Sequence, residues 1–251
     1  MHVLNVDHVS KSFGGIKALV DLYIYLNEKE IVSVIGPNGS GKTTLFNCIC
    51  GTLEADRGKI ELLGEDITYL PPHAICQKGM LRTFQQVAVF EEMTLLENML
   101  VAQPHQGENV FLTPLQRSTK QRRERAIELL KFVNLVEKKN DPARALSYGQ
   151  KKLLEFIMSF MSNPKVFLLD EPMAGVNPTL VNQILGYIRN VVESFGVSIL
   201  VVEHNMQAVM NISDRIYVLA QGRKIAEGKP EEVQRNALVI EAYFGGGSEC
   251  F

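Results

Sequence analysis

The run Ile31-Val32-Ser33-Val34-Ile35-Gly36-Pro37-Asn38-Gly39-Ser40-Gly41-Lys42-Thr43-Thr44-Leu45-Phe46 passes from a short β-branched stretch through a glycine-rich loop into a helical pattern. Its first five residues read as a buried strand. Residues 36–43 match G-x-x-x-x-G-K-[ST], placed between strand and helix as that motif requires. Glycines let the backbone curl so that successive N–H groups face inward, and the helix N-terminus adds partial positive charge; together they hold a polyphosphate. Lys42 supplies a point charge for the β- and γ-phosphates, and the Thr43 hydroxyl is a ligand for Mg²⁺. By itself the motif leaves kinases, GTPases, helicases and transport ATPases open.

The remainder of the chain bounds these choices. It has 251 residues, 46% hydrophobic and 22% charged, which at roughly 150 residues per domain means one large domain or two intertwined lobes, and excludes a disordered or collagen-like chain. The longest apolar runs, such as residues 199–202, fall far short of the ~18 residues of a membrane span. Residues 1–7 lack a basic segment followed by an apolar one, so a cytoplasmic protein is expected. A net charge of -2 offers no bulk attraction for nucleic acid or an anionic membrane, so any anion must be held locally. Cys48, Cys50, Cys76 and Cys250 show no metal-ligand spacing and read as reduced thiols, with no zinc site.

Strand patterns at 31–35, 165–169 and 197–202 each adjoin a helical pattern, the signature of an α/β fold with a parallel sheet. Residues 4–9 and 18–26 alternate apolar with polar side chains, predicting a smaller antiparallel β-layer. From about 91 to 163 helical signals take over, and residues 121–133 place Ile127, Leu130 and Val133 at helical spacing. The basic run 120–125 reads as a solvated helix face rather than a site for an acidic partner.

Two stretches carry further chemistry. Val166-Phe167-Leu168-Leu169-Asp170-Glu171-Pro172 is a buried strand ending in two carboxylates. Burying such groups costs several kcal/mol unless a cation compensates, so Asp170 is expected in a metal shell and Glu171 on an attacking water; the plainer alternative is a surface turn before Pro172. Leu146-Ser147-Tyr148-Gly149-Gln150 opens a helix as a capping box, Ser147 paired with Gln150. Capping does not account for Gly149 in the first turn, which costs roughly 0.5–1 kcal/mol against Ala; close approach of a ligand does.

That segment resembles the LSGGQ signature of ATP-binding-cassette (ABC) ATPases, with Tyr148 in place of a glycine. Phe13 matches the family's adenine-stacking aromatic, Gln85 the Q-loop glutamine and His204 the switch histidine. The resemblance covers nearly the whole chain. It implies a P-loop NTPase (RecA-like) α/β core at about 1–90 and 164–230 with the N-terminal antiparallel layer, an inserted helical subdomain at about 91–163, and a C-terminal helix and tail at about 231–251. It also implies that ATP lies on Phe13, Gly36, Pro37, Asn38, Gly39, Ser40, Gly41, Lys42, Thr43, Thr44 and Gln85. Thr43, Gln85 and Asp170 would then serve Mg²⁺ or its waters, Glu171 the hydrolytic water, and His204 the γ-phosphate. Ser147, Tyr148, Gly149 and Gln150 would close over ATP bound to a second cassette. Asn177, where many members have Asp, and the missing Arg near Met158 are departures.

Residues 97–103, 212–218 and 239–245, among other stretches, look like the ATPases of branched-chain and other hydrophobic amino-acid uptake systems. That likeness implies a transport ATPase at the cytoplasmic face of the membrane, paired with itself or a related ATPase. Its partners would be two transmembrane permeases and a periplasmic solute-binding protein, with no nucleic acid. The alternatives are the ATPase of a urea importer or lipopolysaccharide-type exporter, and a soluble ABC ATPase; the last usually carries a second cassette or a long coiled coil, and these 251 residues read as neither.

Overall fold

The computed structural model describes residues 1–83, 89–102 and 115–244. The strands are β1 (His2–Phe13), β2 (Ile16–Asn27), β3 (Ile31–Ile35), β4 (Arg57–Leu62), β5 (Glu65–Asp66), β6 (Met80–Arg82), β7 (Val166–Asp170), β8 (Ser198–Val202), β9 (Arg215–Ala220) and β10 (Arg223–Gly228). The helices are α1 (Lys42–Ile49), α2 (Pro72–Gln77), α3 (Leu95–Val101), α4 (Leu115–Phe132), α5 (Tyr148–Met158), α6 (Pro178–Phe195), α7 (Met206–Ile212), α8 (Pro230–Gln234) and α9 (Ala237–Phe244). They form two compact units: Met1–Thr83 with the chain from Lys165 onward, and the segment Phe84–Pro164 between them.

The first unit holds both sheets. Six strands run in the order β10-β9-β3-β8-β7-β6, parallel except for the terminal β9–β10 pair, and four run β2-β1-β4-β5. Strands β3, β7 and β8 are buried along their full length, as expected of parallel strands covered on both faces. Alternate residues serve different cores: Val32, Val34, Val166, Leu168, Leu200 and Val202 join Leu45 and Phe46 of α1 and the inner face of the antiparallel layer. Ile35, Ile216 and Val218 instead meet Val209, Val233 and Val239 from α7, α8 and α9.

The antiparallel layer shows why simple alternation fails along its length. Leu4 and Val6 are buried, then Val9; Leu19 is buried, then Leu22, Ile24 and Leu26. The register shifts between Val6 and Val9, His8 and Asp21 both have φ near +50°, and their side chains meet at 2.8 Å. A bulge on each strand switches which residue parity faces the core.

In the second unit, α4 buries Ala126, Leu129 and Leu130, with Val133 just beyond its end. The expected face of Ile127, Leu130 and Val133 is therefore rotated: Ile127 is only half-buried. The i, i+3, i+4, i+7 set that includes Ala126 and Leu129 gives the narrower stripe. Within this unit Asn98 is fully buried on α3, its amide donating to the carbonyls of Phe90, Met93 and Thr94.

Candidate functional site

The loop 36–41 leaves the buried end of β3 and enters α1 through Gly41, which caps the helix without a side-chain hydrogen bond. The first-turn N–H groups, including those of Lys42, Thr43 and Thr44, have no intrahelical acceptor, and among the described residues no side chain caps them. Gly36 (φ +153°) and Gly41 (φ +105°) are conformational requirements: an added Cβ would lie 2.1 Å from the Leu219 carbonyl oxygen in the first case and 2.5 Å from that of Ala18 in the second. Pro37, Asn38, Gly39 and Ser40 complete the curl. Lys42 Nζ folds back into it, donating to the carbonyls of Gly36 at 2.7 Å and Pro37 at 3.0 Å. Burial lowers the Lys42 pKa, partly opposed by attraction to Glu171. A cation held among backbone carbonyls at a helix N-terminus is suited to an incoming polyphosphate, which would supply better acceptors than those carbonyls.

Asp170 is the last residue of β7 and is 7% exposed. Its Oδ2 accepts from Arg82 Nη2 at 2.6 Å, while Arg82 Nη1 donates to Asn47 Oδ1 of α1 at 2.7 Å. The guanidinium thus ties the end of β6 to the end of β7 and to the helix that follows the phosphate loop, over the Phe46 ring 5.7 Å away. Arg82 and Asn47 carry no such role in the sequence reading. The available signal was a lone charge at the end of a short apolar strand.

Glu171 follows with φ +48°, an uncommon left-handed conformation for a residue with a side chain. Its N–H donates to Val202 O at 2.9 Å, extending the β7–β8 ladder by one residue. His204, exposed after β8, brings Nδ1 to 3.8 Å from Glu171 Oε1. Phe13 ends β1 and is 48% exposed, with Lys11 Nζ 5.8 Å from its ring centroid, so part of its aromatic surface is available for stacking. Gln85 lies outside the described residues.

The Mg²⁺ donor set has suitable chemistry. Thr43 is exposed in the first turn of α1, and Asp170 retains Oδ1 beside the oxygen engaged by Arg82. No cluster of three His, Cys, Asp or Glu occurs among the described residues, so most of the coordination would fall to phosphate and water oxygens, as Mg²⁺ prefers at nucleotide sites.

In the second unit, Ser147 is the N-cap of α5 in a reciprocal box: its side chain accepts from Gln150 N at 3.3 Å, and Gln150 Oε1 accepts from Ser147 N at 3.2 Å. Tyr148 is 53% exposed, with Gly149 beside it in the first turn. Asn177 caps α6, accepting from Leu180 N at 3.0 Å. An N-cap can be Asn or Asp equally well, so the departure at Asn177 keeps a local function.

Residues 19–174, spanning the phosphate loop, Asp170 and Glu171, match the family model described as ABC transporter. The chain belongs to the ABC transporter family. Residues 223–249 match a second model, branched-chain amino acid ATP-binding cassette transporter. The chain is 43% identical over 249 residues to the high-affinity branched-chain amino acid transport ATP-binding protein BraF of Pseudomonas aeruginosa, covering 97% of this chain and 98% of that one. It is 39% identical to LivG of Escherichia coli K12 over the same shares of the two chains. A solved ATP-binding cassette of an ABC transporter in its ADP conformation superposes with a TM-score of 0.85 at 36% identity, over 98% of this chain and 99% of that one. A dimeric cassette in a post-hydrolysis state with ADP and Pi reaches 0.71 at 25% identity, over 90% and 98%. This ABC chain is therefore an ATP-binding ATPase subunit, and no helix among its described residues is long and apolar enough to cross a membrane.

Proposed function

We propose that this chain is the ATP-hydrolysing subunit of an importer for branched-chain or other hydrophobic, neutral amino acids. It would work at the cytoplasmic face as a nucleotide-sandwich dimer with a second cassette, beneath two permease subunits served by a solute-binding protein. The observation that carries this reading is identity of 39–43% to branched-chain transport ATPases along nearly the whole chain, joined to the branched-chain match at residues 223–249.

The site supports a division of labour. The free N–H groups of α1 and the Lys42 ammonium hold the β- and γ-phosphates once Lys42 releases the loop carbonyls. Phe13 stacks on the base. Thr43 and Asp170 would hold Mg²⁺, which when bound would supply charge neutralisation of the phosphates. Glu171 accepts a hydrogen bond from the water to be activated, and His204 contacts the γ-phosphate. The exposed start of α5, with Ser147 and Gly149, closes over the nucleotide of the second cassette, so turnover requires assembly. Phosphoryl transfer of this kind depends on positioning and charge stabilisation.

Tracer uptake in a deletion strain tests the transport assignment. Loss of leucine, isoleucine and valine uptake, restored by the wild-type chain, is expected. Intact amino-acid uptake with altered urea or lipid traffic would overturn it.

A further inference from the structure

Glu203 lies between the last residue of β8 and His204, and it is 2% exposed. Both of its oxygens accept from backbone donors, and Oε2 also lies 3.9 Å from His204 Nδ1. Oε1 accepts from Met173 N at 2.9 Å; Oε2 accepts from His204 N at 2.9 Å and Asn205 N at 3.0 Å. Met173 belongs to the turn that leaves β7 through Glu171, whereas His204 and Asn205 belong to the segment that leaves β8. Strands β7 and β8 are adjacent and parallel, with Asp170 opposite Val202. Beyond that register the two segments share the Glu171 N–H to Val202 bond and the Glu203 carboxylate. Asn205 in turn caps α7 through Ala208 N at 3.1 Å, so the carboxylate also anchors the start of that helix.

We propose that Glu203 is a positioning residue that clasps the turn carrying Glu171 to the segment carrying His204, setting the spacing of those two side chains for ATP hydrolysis. The proposal rests on the roles assigned above to Glu171 and His204. A carboxylate suits this task because it is acceptor-only and has room for all three donors. An amide cannot replace it: in either orientation its NH₂ group faces at least one backbone N–H, so Glu203→Gln opens one side of the clasp while preserving shape. Being buried, Glu203 has no route to the nucleotide itself.

The test is a double-mutant cycle on the full chain, in the assembly with which it co-purifies. Glu203→Gln is expected to lower kcat about tenfold while leaving the KM for ATP within about twofold; in a His204→Ala background the same change should cost less than about twofold, because the spacing it protects no longer matters. Unchanged kcat in Glu203→Gln, or an equal loss with and without His204, would overturn the proposal while leaving the roles of Glu171 and His204 standing. Full turnover in both Glu171→Gln and His204→Ala would instead remove the underlying reading. Should Glu203→Gln fail to fold, Glu203→Asp, which keeps the charge but draws it back by one methylene, carries the same cycle with the same expected pattern.

Discussion

The ends of β7 and β8 and the start of α5 handle polar groups in opposite ways. At the strand ends, Asp170 and Glu203 are buried and engaged by Arg82 and by three backbone N–H groups. At α5, the capping box closes on itself, and the helix start, with Tyr148 beside it, remains exposed. Buried charge must be compensated within the chain, since an uncompensated carboxylate costs several kcal/mol. An exposed, already capped helix start has no such demand and is free to meet another molecule. One region is therefore built for internal rigidity; the other, under the proposed function, serves encounter with a second cassette.

This contrast can be broken by experiment. The largest effect is expected from Glu171→Gln, which keeps the shape of the strand end but removes the basic carboxylate that would take a proton from water: turnover should fall about 10³-fold, within the range for general-base loss, with ATP binding retained. Near-normal hydrolysis would take Glu171 out of its proposed role. Next comes Arg82→Ala, which strands a buried carboxylate and should cost about 3 kcal/mol in urea denaturation. A loss below about 1 kcal/mol would mean that water, rather than this pair, satisfies Asp170.

Ser147→Ala should cost the isolated chain only about 1 kcal/mol, the value of one N-cap. Turnover of the assembled transporter should fall further than that loss explains. Equal effects on stability and turnover would reduce α5 to a capped helix.

The smallest effect concerns Cys48, on the buried face of α1, where burial raises the thiol from 9.0 to about 11, with Lys11 pulling the other way. The folded chain then holds a proton that the unfolded chain has lost between those values, so stability falls as pH rises through that window. Alkylation of Cys48 at pH 8 should be slow in the folded chain and rapid in urea; fast labelling of the native protein would contradict its burial.

Several features were legible because they are local. The β3-loop-α1 passage, the capping box at Ser147 and the carboxylates ending β7 each occupy a few consecutive residues, where spacing and residue type are sufficient. The rotated face of α4 was less legible, because Ala126 is a weak hydrophobic signal and Ile127 a strong one. Arg82 and Asp170 are 88 positions apart, and nothing near either names the other.

From the chain alone came the phosphate-binding loop, the α/β alternation with its antiparallel layer, and the family resemblance, all written in short-range patterns of glycine, charge and apolar periodicity. Only the tertiary structure decided that Arg82 neutralises Asp170, that paired bulges switch the buried face of β1 and β2, and that Glu203 joins the Glu171 and His204 segments. The physical reason is common to all three. Such choices depend on which groups adjacent strands bring together, and on the cost of leaving a buried charge or backbone donor unpaired once they are there.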